Sequence, residues 1–93
     1  MIKTVIIDDD YYSRLILREI IRKNIDSIEL VGEAGSVDDG LLSIERSNPD
    51  LVFLDISMPD GTGFDLLDKI KKIDFKIIFT TAYSEFAIKA FMI

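Results

Sequence analysis

The chain has 93 residues, 48% apolar and 30% charged, and its 11 Lys and Arg against 17 Asp and Glu leave a formal charge of −6. That length fits one domain, and so high an apolar fraction excludes a disordered segment. With neither Cys nor His, the chain has no disulfide, no thiolate or imidazole metal site and no His-based triad, and its acidic balance argues against a direct grip on nucleic acid.

Taken in chain order, the hydrophobic period alternates. Met1 to Ile7 is too short for a signal-peptide core or a membrane span, which predicts a cytoplasmic protein. Thr4 to Ile7, Ile28 to Val31, Leu51 to Leu54 and Lys76 to Thr80 are short, β-branched apolar runs of the kind buried on both faces of a parallel sheet. Helical periods lie between them. From about Tyr12 to Asn24, Ile16, Leu17, Ile20 and Ile21 share one face, with Arg14, Arg18, Arg22 and Lys23 turned to solvent. Val37, Gly40, Leu41 and Ile44 repeat the pattern, opened by Ser36 with Asp39 three residues on and stopped by Asn48-Pro49. Gly63, Leu66, Leu67 and Ile70 form a third stripe capped by Thr62 and Asp65. Ser84 caps a fourth helix with Ala87, Ala90 and Phe91. No linker, low-complexity tract or repeat divides the chain, so residues 1–93 read as one unit. The order β-α-β-α-β-α-β-α predicts a doubly wound α/β parallel sheet with right-handed crossovers.

Such sheets bind ligands outside the carboxyl ends of their strands, where the strand order reverses. Asp8-Asp9-Asp10 ends the first strand, Asp55 the third, and Thr80-Thr81-Ala82 the fourth. Crowded carboxylates raise one another's pKa unless a cation neutralises them, and an all-oxygen ligand set suits Mg²⁺. The competing reading is that the Asp run only caps the first helix and complements its dipole.

Three motifs, Val5-Ile6-Ile7-Asp8-Asp9-Asp10, Pro49-Asp50-Leu51-Val52-Phe53-Leu54-Asp55-Ile56-Ser57-Met58-Pro59-Asp60-Gly61 and Ile77-Ile78-Phe79-Thr80-Thr81-Ala82, closely resemble the receiver domain of two-component response regulators. The resemblance covers nearly the whole chain. The stretch from Thr80 to Phe91 resembles the subgroup whose receivers precede a LytTR-type DNA-binding domain, and so implies a transcription-regulating output. The resemblance implies a flavodoxin-like fold and makes Asp55 the phosphoacceptor, modified by the phosphohistidine of a sensor histidine kinase. It makes Asp9 a direct Mg²⁺ ligand, has Asp8 act through a bound water, and adds the main-chain carbonyl of Ser57. Thr81 offers its hydroxyl to the phosphoryl group beside the small Ala82. Thr80 is the alternative, since neighbouring strand residues face opposite ways. No enzyme activity is implied beyond self-phosphorylation and autodephosphorylation.

Receivers also carry a lysine and a switch aromatic on a fifth strand. The expectation here is a (βα)4 domain over 1–93 with the fifth βα unit missing, and Lys89 in its helix is no substitute for that lysine. An open fourth strand in turn predicts a homodimer, or exchange, through the fourth strand and fourth helix. Other classes fit less well. A haloacid-dehalogenase-type phosphatase needs a second Asp where Ser57 stands, and a dinucleotide or flavin binder needs a Gly-rich first turn where Asp8-Asp9-Asp10-Tyr11 stands. A phosphorylation-independent, receiver-like interaction module is the main alternative.

Overall fold

β-Branched runs that alternate apolar side chains onto both faces need cover on both, and four of them line up side by side. The computed structural model of the chain describes residues 1–80. Strands β1 (Ile2–Ile7), β2 (Ile28–Ala34), β3 (Leu51–Asp55) and β6 (Lys76–Thr80) form one parallel sheet in the order β2-β1-β3-β6. Helices α1 (Tyr11–Asn24), α2 (Val37–Ser47) and α3 (Gly63–Asp68) connect them. A two-residue pair, β4 (Ser57–Met58) with antiparallel β5 (Gly61–Thr62), follows β3. The expected fourth helix, with Ser84, Ala87, Lys89, Ala90 and Phe91, lies outside the described residues, as do Thr81 and Ala82.

Alternation along the strands divides the core into two layers. Val5, Ile7, Val52, Leu54 and Phe79 face α2 and α3, where Val37 and Leu66 complete the larger cluster. Ile6 and Phe53 face the other way, toward Ile21 and Leu17 of α1. Helices therefore cover both faces, as the doubly wound pattern requires.

Local chemistry bounds α2 and opens α3 where the sequence predicts, although α3 ends at Asp68, short of Ile70. Ser36 Oγ accepts the Asp39 N–H at 3.1 Å. Asn48 takes the left-handed conformation at φ 48°, and its N–H returns to Ile44 O. Thr62 and Asp65 form a reciprocal capping box with N–H···O distances of 3.0 and 2.8 Å.

Three expectations need correction. β2 runs on to Ala34 because the pairing with β1 shifts register between Thr4 and Val5, so the strand continues through Gly32-Glu33 where the apolar run breaks. As an edge strand it is only partly buried. Ile16 and Ile20 of α1 are 60% and 50% exposed rather than buried with Ile21, since α1 covers its face of the sheet only along the Leu17 and Ile21 row. Arg14 and Arg18 do not simply face solvent. Both reach Glu33 on β2, at 3.4 and 3.0 Å. Among the described residues no helix is long and apolar enough to cross a membrane.

Candidate functional site

The first crossover places β2 on one side of β1 and the second places β3 on the other, so the strand order reverses between β1 and β3. Leu54 pairs with Ile7, which sets the residues that follow, Asp55 and Asp8, side by side at the carboxyl edge. Asp55 also pairs with Thr80 of β6. An open cleft of about 530 Å³ results, lined by Asp8, Asp9, Asp10, Ser13, Leu17, Asp55 and Thr80 among others.

The three consecutive aspartates have separate tasks. Asp10 is the N-cap of α1, its carboxylate accepting the Tyr12 N–H at 3.2 Å and the Ser13 hydroxyl at 2.7 Å. Asp8 is 9% exposed, and its Oδ1 accepts the Asp10 N–H at 2.9 Å. Asp9 is exposed. One carboxylate oxygen each from Asp8, Asp9 and Asp55 lies within 4.8 Å of the others. Helix capping thus accounts for Asp10 and leaves the other two to the pocket.

Burial, and then crowding, marks the titration of Asp55 and Asp8. Burial pushes the Asp55 carboxyl up to about 6, the charge of Asp8 adds to the effect, and the Ile56 N–H opposes it. Burial raises Asp8 as well, with the charges of Asp9 and Asp10 reinforcing the shift against the Asp10 N–H. Carboxylates gathered this closely are relieved when a cation neutralises them. A small hard ion in octahedral coordination near 2.1 Å needs ligand oxygens about 3 to 4 Å apart. A slight closure, or one water between ion and carboxylate, would bring all three into range.

Behind Asp55 the packing is tight. The Gly63 N–H donates to Ile56 O at 2.8 Å, and a Cβ on Gly63 would lie 2.5 Å from Asp55 O. Only glycine lets α3 start this close to the strand end. Ser57 is exposed and pairs with Thr62 across the β4–β5 turn. Thr80, the alternative to Thr81, lines the cleft.

Two contributors escape a reading of motifs. Asp60, predicted only as a turn residue, accepts the Val37 N–H at 2.8 Å and the Asp38 N–H at 3.1 Å, tying the loop after Asp55 to the start of α2. Arg14 donates from Nη1 to the main-chain oxygen of Asp8 at 2.6 Å. Asp60 could have been suspected as an anion aimed at a helix N-terminus, whereas Arg14 has no local signal.

The acidic pocket thus lies at the reversal of a parallel sheet, with Asp55 at the end of an inner strand. The model of the response regulator receiver domain matches residues 4–93. This chain belongs to that family. The receiver is 37% identical over 93 residues to the sensory transduction protein LytT of Bacillus cereus, covering 98% of this chain and 37% of that protein. It is 38% identical over 92 residues to the transcriptional regulatory protein BtsR of Escherichia coli, covering 98% and 38%. It thus spans little more than a third of the length of these relatives. Among solved structures, the response regulator domain of Thermotoga maritima CheB superposes with a TM-score of 0.84 at 26% identity, over 99% of this chain and 72% of that one. A DNA-binding response regulator of the LuxR family from Staphylococcus aureus gives 0.83 at 28% identity, over 99% and 79%. The receiver is a signalling domain with a flavodoxin-like fold.

Proposed function

We propose that this receiver accepts a phosphoryl group on Asp55 from the phosphohistidine of a sensor histidine kinase and thereby switches a transcription-regulating output in the cytoplasm. One observation carries the reading: Asp55 shares its cleft with Asp8 and Asp9, with carboxylate oxygens within 4.8 Å. An Asp55 oxygen forms the new bond to phosphorus while the bond to the histidine nitrogen breaks, that nitrogen keeping the bonding pair. Asp55 must be ionised to attack, and a pKa of about 6 leaves it so at neutral pH. Mg²⁺ bound there would supply positive charge against the transferring group. Asp9 and Asp55 would hold it directly, Asp8 through water, and the carbonyl of Ser57 would complete the protein's share. Thr81 hydrogen-bonds a phosphoryl oxygen, and Ala82 leaves room for the donor. The domain performs no catalysis beyond its own phosphorylation and autodephosphorylation.

The test is incubation with acetyl phosphate and Mg²⁺, followed by phosphate-affinity electrophoresis and mass spectrometry. Wild type should gain one acid-stable, base-labile phosphate, and Asp55→Asn none. Phosphate on Ser57 or Ser84 would overturn the assignment, and no phosphate on either protein or on a longer chain would favour a phosphorylation-independent interaction module.

A further inference from the structure

The acidic pocket is braced from the opposite edge of the sheet. Arg14 grips the turn that carries Asp9 at both ends: its side chain donates to Asp8 O at 2.6 Å, and its own N–H donates to Asp10 O at 3.1 Å. The Asp8 N–H is fixed in turn on Ala34 O of β2 at 3.0 Å. Asp9 has no such anchor, since its side chain is exposed and takes no N–H donor among the described residues. Its position therefore follows from the peptide plane between Asp8 and Asp9. Because a peptide unit is rigid, a bond that fixes the Asp8 carbonyl also fixes the direction in which the Asp9 N–H and Cα leave it.

Arg14 is itself held. Its Nε lies 3.4 Å from Glu33 Oε1, while Arg18, one turn along the same helix, takes Oε2 of the same carboxylate at 3.0 Å. Glu33 thus aims both guanidinium groups from β2. Gly35 leaves the space: a Cβ there would stand 3.3 Å from Arg14 Nη1 and 3.8 Å from Asp8 O.

We infer that Arg14, oriented by Glu33, is a positioning residue for the metal, setting the Mg²⁺ affinity of the pocket by holding the Asp8–Asp9 peptide. The inference rests on the proposal that the pocket binds Mg²⁺. Charge and position predict opposite signs. Arg14 is a cation near a cation site, so removing its charge should tighten Mg²⁺ if electrostatics alone mattered. Loss of an outer hydrogen bond that orients a ligand weakens metal binding, by about tenfold or more.

Titration calorimetry of the 93-residue chain with Mg²⁺, beside melting curves without Mg²⁺, tests this. Wild type should bind, and Asp9→Ala should not. Arg14→Gln should raise Kd about tenfold, Arg14→Lys should recover part of the loss, and Gly35→Ala, which changes no charge, should raise Kd severalfold. If Arg14→Gln does not fold, Arg14→Lys and Gly35→Ala decide. Unchanged or tighter Mg²⁺ binding in the folded variants, whatever their melting temperatures, overturns the positioning role alone. No binding by wild type overturns the metal reading, and this inference with it.

Discussion

Asp55 and Asp60 sit five residues apart and respond to pH in opposite senses. Asp55 has its pKa raised from 3.8 to about 6 by burial and by Asp8, so the folded state holds its proton more tightly than the unfolded state does. The resulting penalty is absent below about pH 4, grows as pH rises from 4 to 6, and is complete at neutral pH. Without Mg²⁺, Asp55→Asn should therefore melt higher than wild type at pH 7, and the difference should shrink on acidification toward pH 4. Melting curves across that range check this, and equal slopes for the two proteins would show that Asp55 is not under strain. Asp60 has its pKa lowered, chiefly by the Val37 N–H and then by the Asp38 N–H. Its contribution is present above the ordinary value of 3.8 and is lost as pH falls through the folded value. With Ser36 satisfying the Asp39 N–H, Asp60 completes the first turn of α2. Asp60→Ala should speed hydrogen exchange at the amides of Val37 and Asp38 and lower the melting temperature at neutral pH.

Among the elements, α3 is the one whose placement bears most directly on the acceptor. Its first residue, Gly63, packs where a Cβ would meet Asp55 O at 2.5 Å and Leu54 Cγ at 3.0 Å. Neither can yield: one is backbone, and Leu54 is 0% exposed. Gly63→Ala should destabilise the domain by about 1–3 kcal/mol, as overpacking does, and weaken Mg²⁺ binding through the displaced strand end. Urea unfolding with a metal titration measures both, and a neutral substitution would show that α3 can slide. The caps of α2 and α3 were legible in the sequence because each is made within a few residues, by Ser36, Thr62 and Asp65. So was the meeting of Asp8 with Asp55, which follows from parallel strands and a reversal of order. The bulge that carries β2 through Gly32-Glu33 was not, because it is defined only against β1. Arg14 was not legible either. Its partners are Asp8 O, just past β1, and Glu33 of β2, and helical period alone turns an arginine at that position outward.

At the scale of the whole molecule, the two faces of the sheet are unequally covered. Ile6, Phe53 and Ile78 form one row in register across β1, β3 and β6, and their exposure climbs from 1% through 9% to 38% away from the sheet centre. Ile16 and Ile20 of α1, on the same side, are 60% and 50% exposed. On the opposite side, Leu54 of β3 and Leu66 of α3 are fully buried. Among the described residues β6 pairs only with β3, and this apolar strip runs alongside it. Apolar surface next to an open strand edge favours association, and a charge on such a strand opposes it. The 93-residue chain should therefore self-associate as its concentration rises, and Ile78→Lys should reduce that association while changing the melting temperature little, because the side chain is already partly solvated. Multi-angle light scattering over a dilution series, run on wild type and on Ile78→Lys, gives the answer. A wild-type monomer at every concentration would mean that this face is covered, and association unaffected by Ile78→Lys would move the contact away from β6.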